Sequence, residues 1–411
     1  MKRSLFKKPG GIPGFLFFLF FLGVGVRVAL QNPPLNTYAQ ICHFVSEHIY
    51  LRAEKTRAWA RSCLQRSKKI ERQTPLPVIL EDLNSQFSLL QTSHLSIYDS
   101  EQSRKVWEGT SKETGIDSQF VEGELAILRV HPRSPAEKAG LRMGDVIYRI
   151  NNELGTPEAA ETTSGTYLIQ RHKKLTEYKI ETRELRREEA PELIRLTQKT
   201  ALFRVPSFRA EFFQREKWLS QVAELKTYKK IIIDLRGNLG GNFVAGLRFL
   251  SPFMCSPQDI GYIWKPKSSL KKETILPDEL EDERQIEILN QSFLVHLWTF
   301  ADYDCLTASV AVLVDSGTAS AAEMVAQALK DYIGAKIFGT ASAGQLLVGV
   351  WYPVPELAEG VKLSIPEAVY QTRRGHKIEG PGVQVDKSLY YHLEELANGE
   401  DSWVKSAVQL F

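Results

Sequence analysis

The chain has 411 residues, 43% of them apolar and 25% charged, with a formal net charge of +3. That length implies two or three domains with sizeable cores. A near-neutral balance with dispersed basic residues excludes a polyanion-binding protein, so nucleic acid is not an expected partner.

The N-terminus, "MKRSLFKKPGG", carries Lys2, Arg3, Lys7 and Lys8 and no acid, and a nearly continuous apolar stretch follows from Ile12 to Val26. A basic leader before an apolar run is the pattern of an export signal. No A-x-A site follows at Val28, Ala29 and Leu30, so an uncleaved membrane anchor is the second reading of residues 1–30. Either way the protein is expected outside the cytoplasm, periplasmic or extracellular. Cys42, Cys63, Cys255 and Cys305 would then meet an oxidising compartment. Four cysteines allow three pairings, and joining neighbours gives Cys42–Cys63 and Cys255–Cys305. No CxxC is present, and neither a metal nor another cofactor is expected.

Residues 31–110 read as helical. From Tyr38 to Leu64 apolar residues recur at three and four, as one helix would place them. A second helix follows Pro75 and Pro77 and ends near Leu90, leaving His94 in a short loop. Between residues 111 and 190 the pattern turns to strands at Glu124–Val130, Met143–Asn152 and Lys174–Leu185. A short helix, "SPAEKAGL", has Pro135 in its first turn and Gly140 at its end. The run "HPRSPAEKAGLRMGDVIYRINNEL" resembles a PDZ domain of the kind found in bacterial proteases. The resemblance implies capture of a peptide as an added strand, with its terminal carboxylate held by backbone N–H groups. It places that loop at "TGID", on Gly115, Ile116 and Asp117.

Residues 191–400 alternate continuous apolar strands such as "KKIIIDL" with amphipathic helices, which predicts an α/β core with a mainly parallel sheet covered on both faces. The whole is thus expected to be a multidomain α+β protein. Residues 256–304 break the alternation. They are charged, without a clear sheet pattern, and read as an insertion, helical from Asp278, between Cys255 and Cys305.

"VLVDSGTASAAEMVAQAL" runs from an apolar strand through a small-residue turn into a helix, with Ser320 at the junction. A serine there ordinarily caps the helix. Its company suggests more. "GTASAAE" with "DLRGNLGG" and "IEGPGVQVD" resembles the C-terminal processing (tail-specific) peptidases and their tricorn-like relatives. The resemblance implies that Ser320 is a nucleophile and that the N–H groups of Gly237 and Ala321 form an oxyanion hole. In the processing peptidases a lysine follows the next strand, but here Gln345 stands at that position. An amide cannot accept the serine proton at neutral pH. The tricorn-like branch instead implies a base at His94 in "TSHLSIY", supported by Ser93 and by Glu379. A histidine titrates near neutrality and can serve without burial. The expected function is therefore an exported serine endopeptidase, recruiting polypeptides by their C-terminal tails through the PDZ domain. The other reading is a disabled homologue that keeps only a peptide-binding PDZ scaffold.

Overall fold

The structure, a computed structural model, describes residues 33–411 apart from residue 72; the leader lies outside the described residues. The described residues open with α1 (Pro33–His48), α2 (Ala53–Ser67) and α3 (Leu76–Ser88). The stretch read as one helix is thus a hairpin of two, α1 and α2, and Cys42 and Cys63 join them with Cα atoms 5.8 Å apart. The helical apolar period survives a break, which is why periodicity alone did not show it. After α3 come β1 (Ser96–Tyr98) and α4 (Ser100–Glu108). Helix α4 starts at a capping box, Asp99 with Gln102, and stops at Gly109 in the left-handed region, φ 64°.

The next unit follows directly: β2 (Thr110–Glu113) leads into β3 (Ile116–Val121) and β4 (Glu124–Val130). Then follow α5 (Pro135–Ala139), β5 (Val146–Ile150), β6 (Glu153–Leu154), α6 (Pro157–Thr162), β7 (Gly165–Arg171), β8 (Lys174–Ile180) and β9 (Arg183–Arg186). Strands β3-β4-β5-β7-β8 form one sheet with β3 at its edge, and β6 pairs β5. Ser134 caps α5 by accepting from the Glu137 N–H, and Gly140 closes it at φ 84°. The strand expected over Lys174–Leu185 is divided: β9 leaves this sheet to pair with β2.

The remaining chain supplies β10 (Glu192–Arg195), β11 (Thr200–Arg204), α7 (Arg215–Leu225), β12 (Lys230–Asp234), α8 (Phe243–Met254), β13 (Asp259–Trp264), β14 (Glu273–Ile275), α9 (Asp282–Asn290), β15 (Leu294–Trp298) and β16 (Ser309–Val314). After these come α10 (Ala321–Ile333), β17 (Lys336–Gly339), β18 (Leu347–Pro353), β19 (Lys362–Thr372), β20 (Lys387–Ser388), α11 (Leu393–Ala397) and α12 (Ser402–Leu410). The sheet β10-β11-β12-β16-β17-β20 is parallel throughout except for the β10–β11 pair. Alternate residues of β12 explain its unbroken apolar run. Ile231 and Ile233 pack in one core with Val244, Leu247, Met324 and Val325, whereas Ile232 faces Trp403 and Ala407.

The segment read as an insertion is corrected by the second sheet. Residues 256–304 contribute β13, β14 and β15 to the order β1-β19-β13-β15-β14, with β18 on the other side of β19. Only residues 282–290 are helical there. The strands were hard to read because they are short: Val295 and Leu297 alternate toward the core in β15, but a bulge at Asp259/Gly261 breaks the alternation in β13, where Ile260 and Ile263 face it. Cys255 and Cys305 are joined, Cα atoms 4.6 Å apart.

The N-terminal helices pack on the second sheet. Tyr38, Ile41, Leu83 and Phe87 share a core with Leu363 and Ile365 of β19. Pairing of β1 with β19, Ser96 opposite Ser364, then fixes the loop that carries His94.

Candidate active site

Ser320 ends the turn between β16 and α10 with φ 56° and ψ −125°, a backbone state that L-residues rarely adopt. Such strain costs about 1–3 kcal/mol and persists only where neighbours enforce it. Here the Ser320 N–H donates to the Gln345 carbonyl (3.0 Å) and to Glu323 Oε2 (3.0 Å). Gly240 enforces it from the other side: a Cβ there would sit 2.7 Å from Ser320 Cβ and 2.9 Å from the Ala321 nitrogen. The hydroxyl is left half-buried on a sharp strand-to-helix elbow, at the positive end of α10.

Glu323 is fully buried and ties this elbow to the next loop. It accepts from Ser342 Oγ (2.6 Å), the Gly344 N–H (2.7 Å) and the Gln345 N–H (2.9 Å). Burial raises its pKa, and these donors oppose that shift. The S-x-x-E spacing of a capping box was present in the sequence and would have found it.

His94, Ser93 and Glu379 come together. His94 Nδ1 lies 3.1 Å from Ser93 Oγ, which donates to Glu379 Oε2 at 3.0 Å. Glu379 also accepts from the N–H groups of Leu346 (2.7 Å) and Leu347 (3.1 Å). The segment 345–347 therefore bonds Ser320 at one end and Glu379 at the other. Burial pushes the His94 pKa down to about 4, so the ring is neutral at pH 7. Among the described residues no hydrogen bond joins Ser320 Oγ to His94. Catalytic pairs are often long in the free enzyme and tighten with substrate.

The two proposed oxyanion donors differ. Ala321 begins α10 beside Ser320. The Gly237 N–H instead donates to Asp315 Oδ1 at 2.9 Å, and the Gly317 N–H shares that oxygen at 3.0 Å. Burial raises the Asp315 pKa against these donors. Gly240, which sequence reasoning did not single out, is the glycine packed against Ser320. Gln345 occupies the loop through its backbone, and its side chain is exposed.

In the smaller unit, Gly115 (φ 81°) lies tight against Ser134, and Ile116 is buried in the local core. Two of the loop's N–H groups have partners within the chain: Thr114 N–H donates to the Glu161 carbonyl (2.8 Å), and Ile116 N–H to Thr114 Oγ1 (3.3 Å). Asp117 accepts from Arg187 (3.1 Å) and contacts His131 Nε2 (2.9 Å). Arg187 also binds Glu113 (2.8 Å) and Glu161 (2.6 Å). Burial would raise the Asp117 pKa, but His131 and Arg187 hold it well below the usual carboxylate range.

The strained turn at Ser320, the chain of contacts Glu379–Ser93–His94 and the five-stranded sheet of residues 116–180 together resemble the class of PDZ-bearing serine-type peptidases. In comparison with known proteins, residues 199–389 match the model of peptidase family S41 and residues 127–156 that of a PDZ domain. It is 28% identical over 302 residues to a probable CtpA-like serine protease of Staphylococcus aureus (strain N315), covering 70% of this chain and 55% of that protein. A counterpart in Staphylococcus epidermidis is 24% identical over the same length. The chain therefore spans about half the length of these relatives. Among solved structures, mature CPAF superposes with a TM-score of 0.61 at 12% identity, covering 93% of this chain and 97% of that one. The photosystem II D1 C-terminal processing protease gives 0.52 at 16% identity, covering 90% and 98%. At such identities the likeness is one of fold.

Proposed function

We propose that the protein is an exported serine endopeptidase acting on polypeptides by acyl transfer. The observation that carries this reading is the continuous relay Glu379–Ser93–His94, linked by one segment of backbone to the strained Ser320. Ser320 Oγ attacks the peptide carbonyl and His94 takes its proton. His94 then returns that proton to the leaving amine, and water resolves the acyl-enzyme by the same path. Ser93, held by Glu379, orients the imidazole. The Ala321 N–H supports the developing oxyanion, and Gly237 can join it once its N–H turns away from Asp315. Two disulfides are consistent with export to an oxidising compartment. The PDZ module would hold an extended polypeptide along its edge strand β3.

The committed Gly237 N–H and Gln345 in the lysine position favour a second reading, a disabled homologue serving as a PDZ scaffold. Hydrolysis of an unstructured polypeptide separates the two. Wild type should cleave it and Ser320→Ala should not, with the far-ultraviolet spectrum unchanged. A wild type without activity, or an active Ser320→Ala protein, would sink the peptidase reading.

A further inference from the structure

Beside His94 the second sheet presents a face that the mechanism does not use. A Cβ at Gly349 would lie 2.8 Å from Ser364 Oγ and 3.2 Å from His94 Cβ, so both side chains crowd the same point on β18. Ser364 is fully buried, yet its hydroxyl has no hydrogen-bond partner among the described residues. Two residues along β18 on that face stands Trp351, with Tyr98 stacked on it (4.7 Å) and Trp107 edge-on (5.4 Å). Lys362, opposite Tyr98 on one side and Pro353 on the other, places its ammonium 5.1 Å from the Trp107 ring centroid.

We propose that this face is a subsite for the free C-terminal carboxylate of the polypeptide substrate, with Lys362 as its counter-ion and the aromatic shelf holding an apolar terminal side chain. The proposal rests on the peptidase reading above. Lys362 is partly buried, and no carboxylate lies within ion-pair distance of it among the described residues. Its neighbour Glu108 acts only at longer range. Burial lowers the lysine's pKa, as expected of an ammonium deprived of water without a partner. An incoming carboxylate would supply that partner, and the indole faces favour both the cation and an apolar residue. The PDZ loop offers the opposite environment, since Glu113, Asp117 and Glu161 already surround Arg187. Tail recognition thereby passes to the peptidase core. From Gly349 to the row of Lys362 is four residues of strand, about 13 Å. An extended tail anchored at Lys362 brings a bond roughly four residues from its end to His94.

Binding is measured with inactive Ser320→Ala protein, using tryptophan fluorescence and calorimetry with a penta-alanyl-leucine peptide as free acid and as amide. The acid should bind about tenfold more tightly, the equivalent of about 1.4 kcal/mol. In Lys362→Gln the ratio should fall to near one, in Lys362→Arg it should persist, and Lys336→Gln, on the other sheet, should leave it as it was. Equal affinities for acid and amide, or discrimination surviving Lys362→Gln, would overturn the subsite. Discrimination by the Ser320→Ala protein alongside an inert wild type would uphold the subsite and remove the peptidase reading instead.

Discussion

The loop at Gly115 and the candidate site at Ser320 are both built on turns that require glycine, and they use their polar groups in opposite ways. Around Arg187 three carboxylates and a histidine leave no strong charge unanswered, and Glu113 is wholly buried there. At Ser320 the backbone is strained, and on the β18–β19 face beside His94 the Ser364 hydroxyl has no partner and Lys362 no counter-ion among the described residues. Buried polar groups are nearly always satisfied in a folded protein. The charged groups around Arg187 are paired with one another, although His131 Nδ1 stands without a partner among the described residues, and that pairing serves stability; the unpaired ammonium of Lys362 is open to an incoming group.

The largest effect that could break this contrast is His94→Ala. If the relay serves catalysis, kcat/KM should fall by about 10²–10⁴ with little change in Tm. A large loss of stability with intact activity would make it a structural network like that of Arg187. Next, replacing Cys255 and Cys305 together by serine should lower the stability of the core by up to about 4 kcal/mol, since the bridge closes a long loop. Chemical denaturation against the parent measures it. Arg187→Met should cost about 3 kcal/mol by stranding buried carboxylates. Proteolytic nicking within residues 111–190 should report it, and hydrolysis of a short peptide should not change.

A pH profile sharpens the comparison further. Burial holds the His94 pKa near 4, against an ordinary 6.5. The acid limb of kcat/KM should therefore fall nearer 4 than 6.5 and disappear in the residual rate of His94→Ala. The same shift bears on stability. The unfolded chain takes up this proton more readily than the folded one, so the contribution is complete above pH 6.5 and is lost as pH falls toward 4. The smallest expected effect is that of Gln345→Lys, whose exposed side chain should leave the rate unchanged or slightly lower. A gain in activity would assign the chemistry to a Ser–Lys pair.

The apolar runs, the small-residue elbow at Ser320 and the "SPAEKAGL" helix were legible because each is a local pattern. An apolar period, a cap or a glycine turn is set by neighbours within a few residues. The family likeness of "TSH" and "IEG" pointed to His94 and Glu379, although 285 residues separate them. Residues 256–304 misled because their strands are short and set between charged loops, and it is the pairing of β13 with β19, and of β15 with β13, that gives them a core to face. The break between α1 and α2 was hidden for a related reason, since the helical period continues across it.

The sequence by itself determined the alternation of the parallel sheet and the position of the strand-to-helix elbow. Only the tertiary structure decided that Glu323 locks Ser320 to the following loop, that Asp315 holds the Gly237 N–H, and that the Lys362 ammonium lies over the Trp107 ring. Those facts depend on which distant backbones meet, and on burial that removes water from a charge. Neither is written in local spacing.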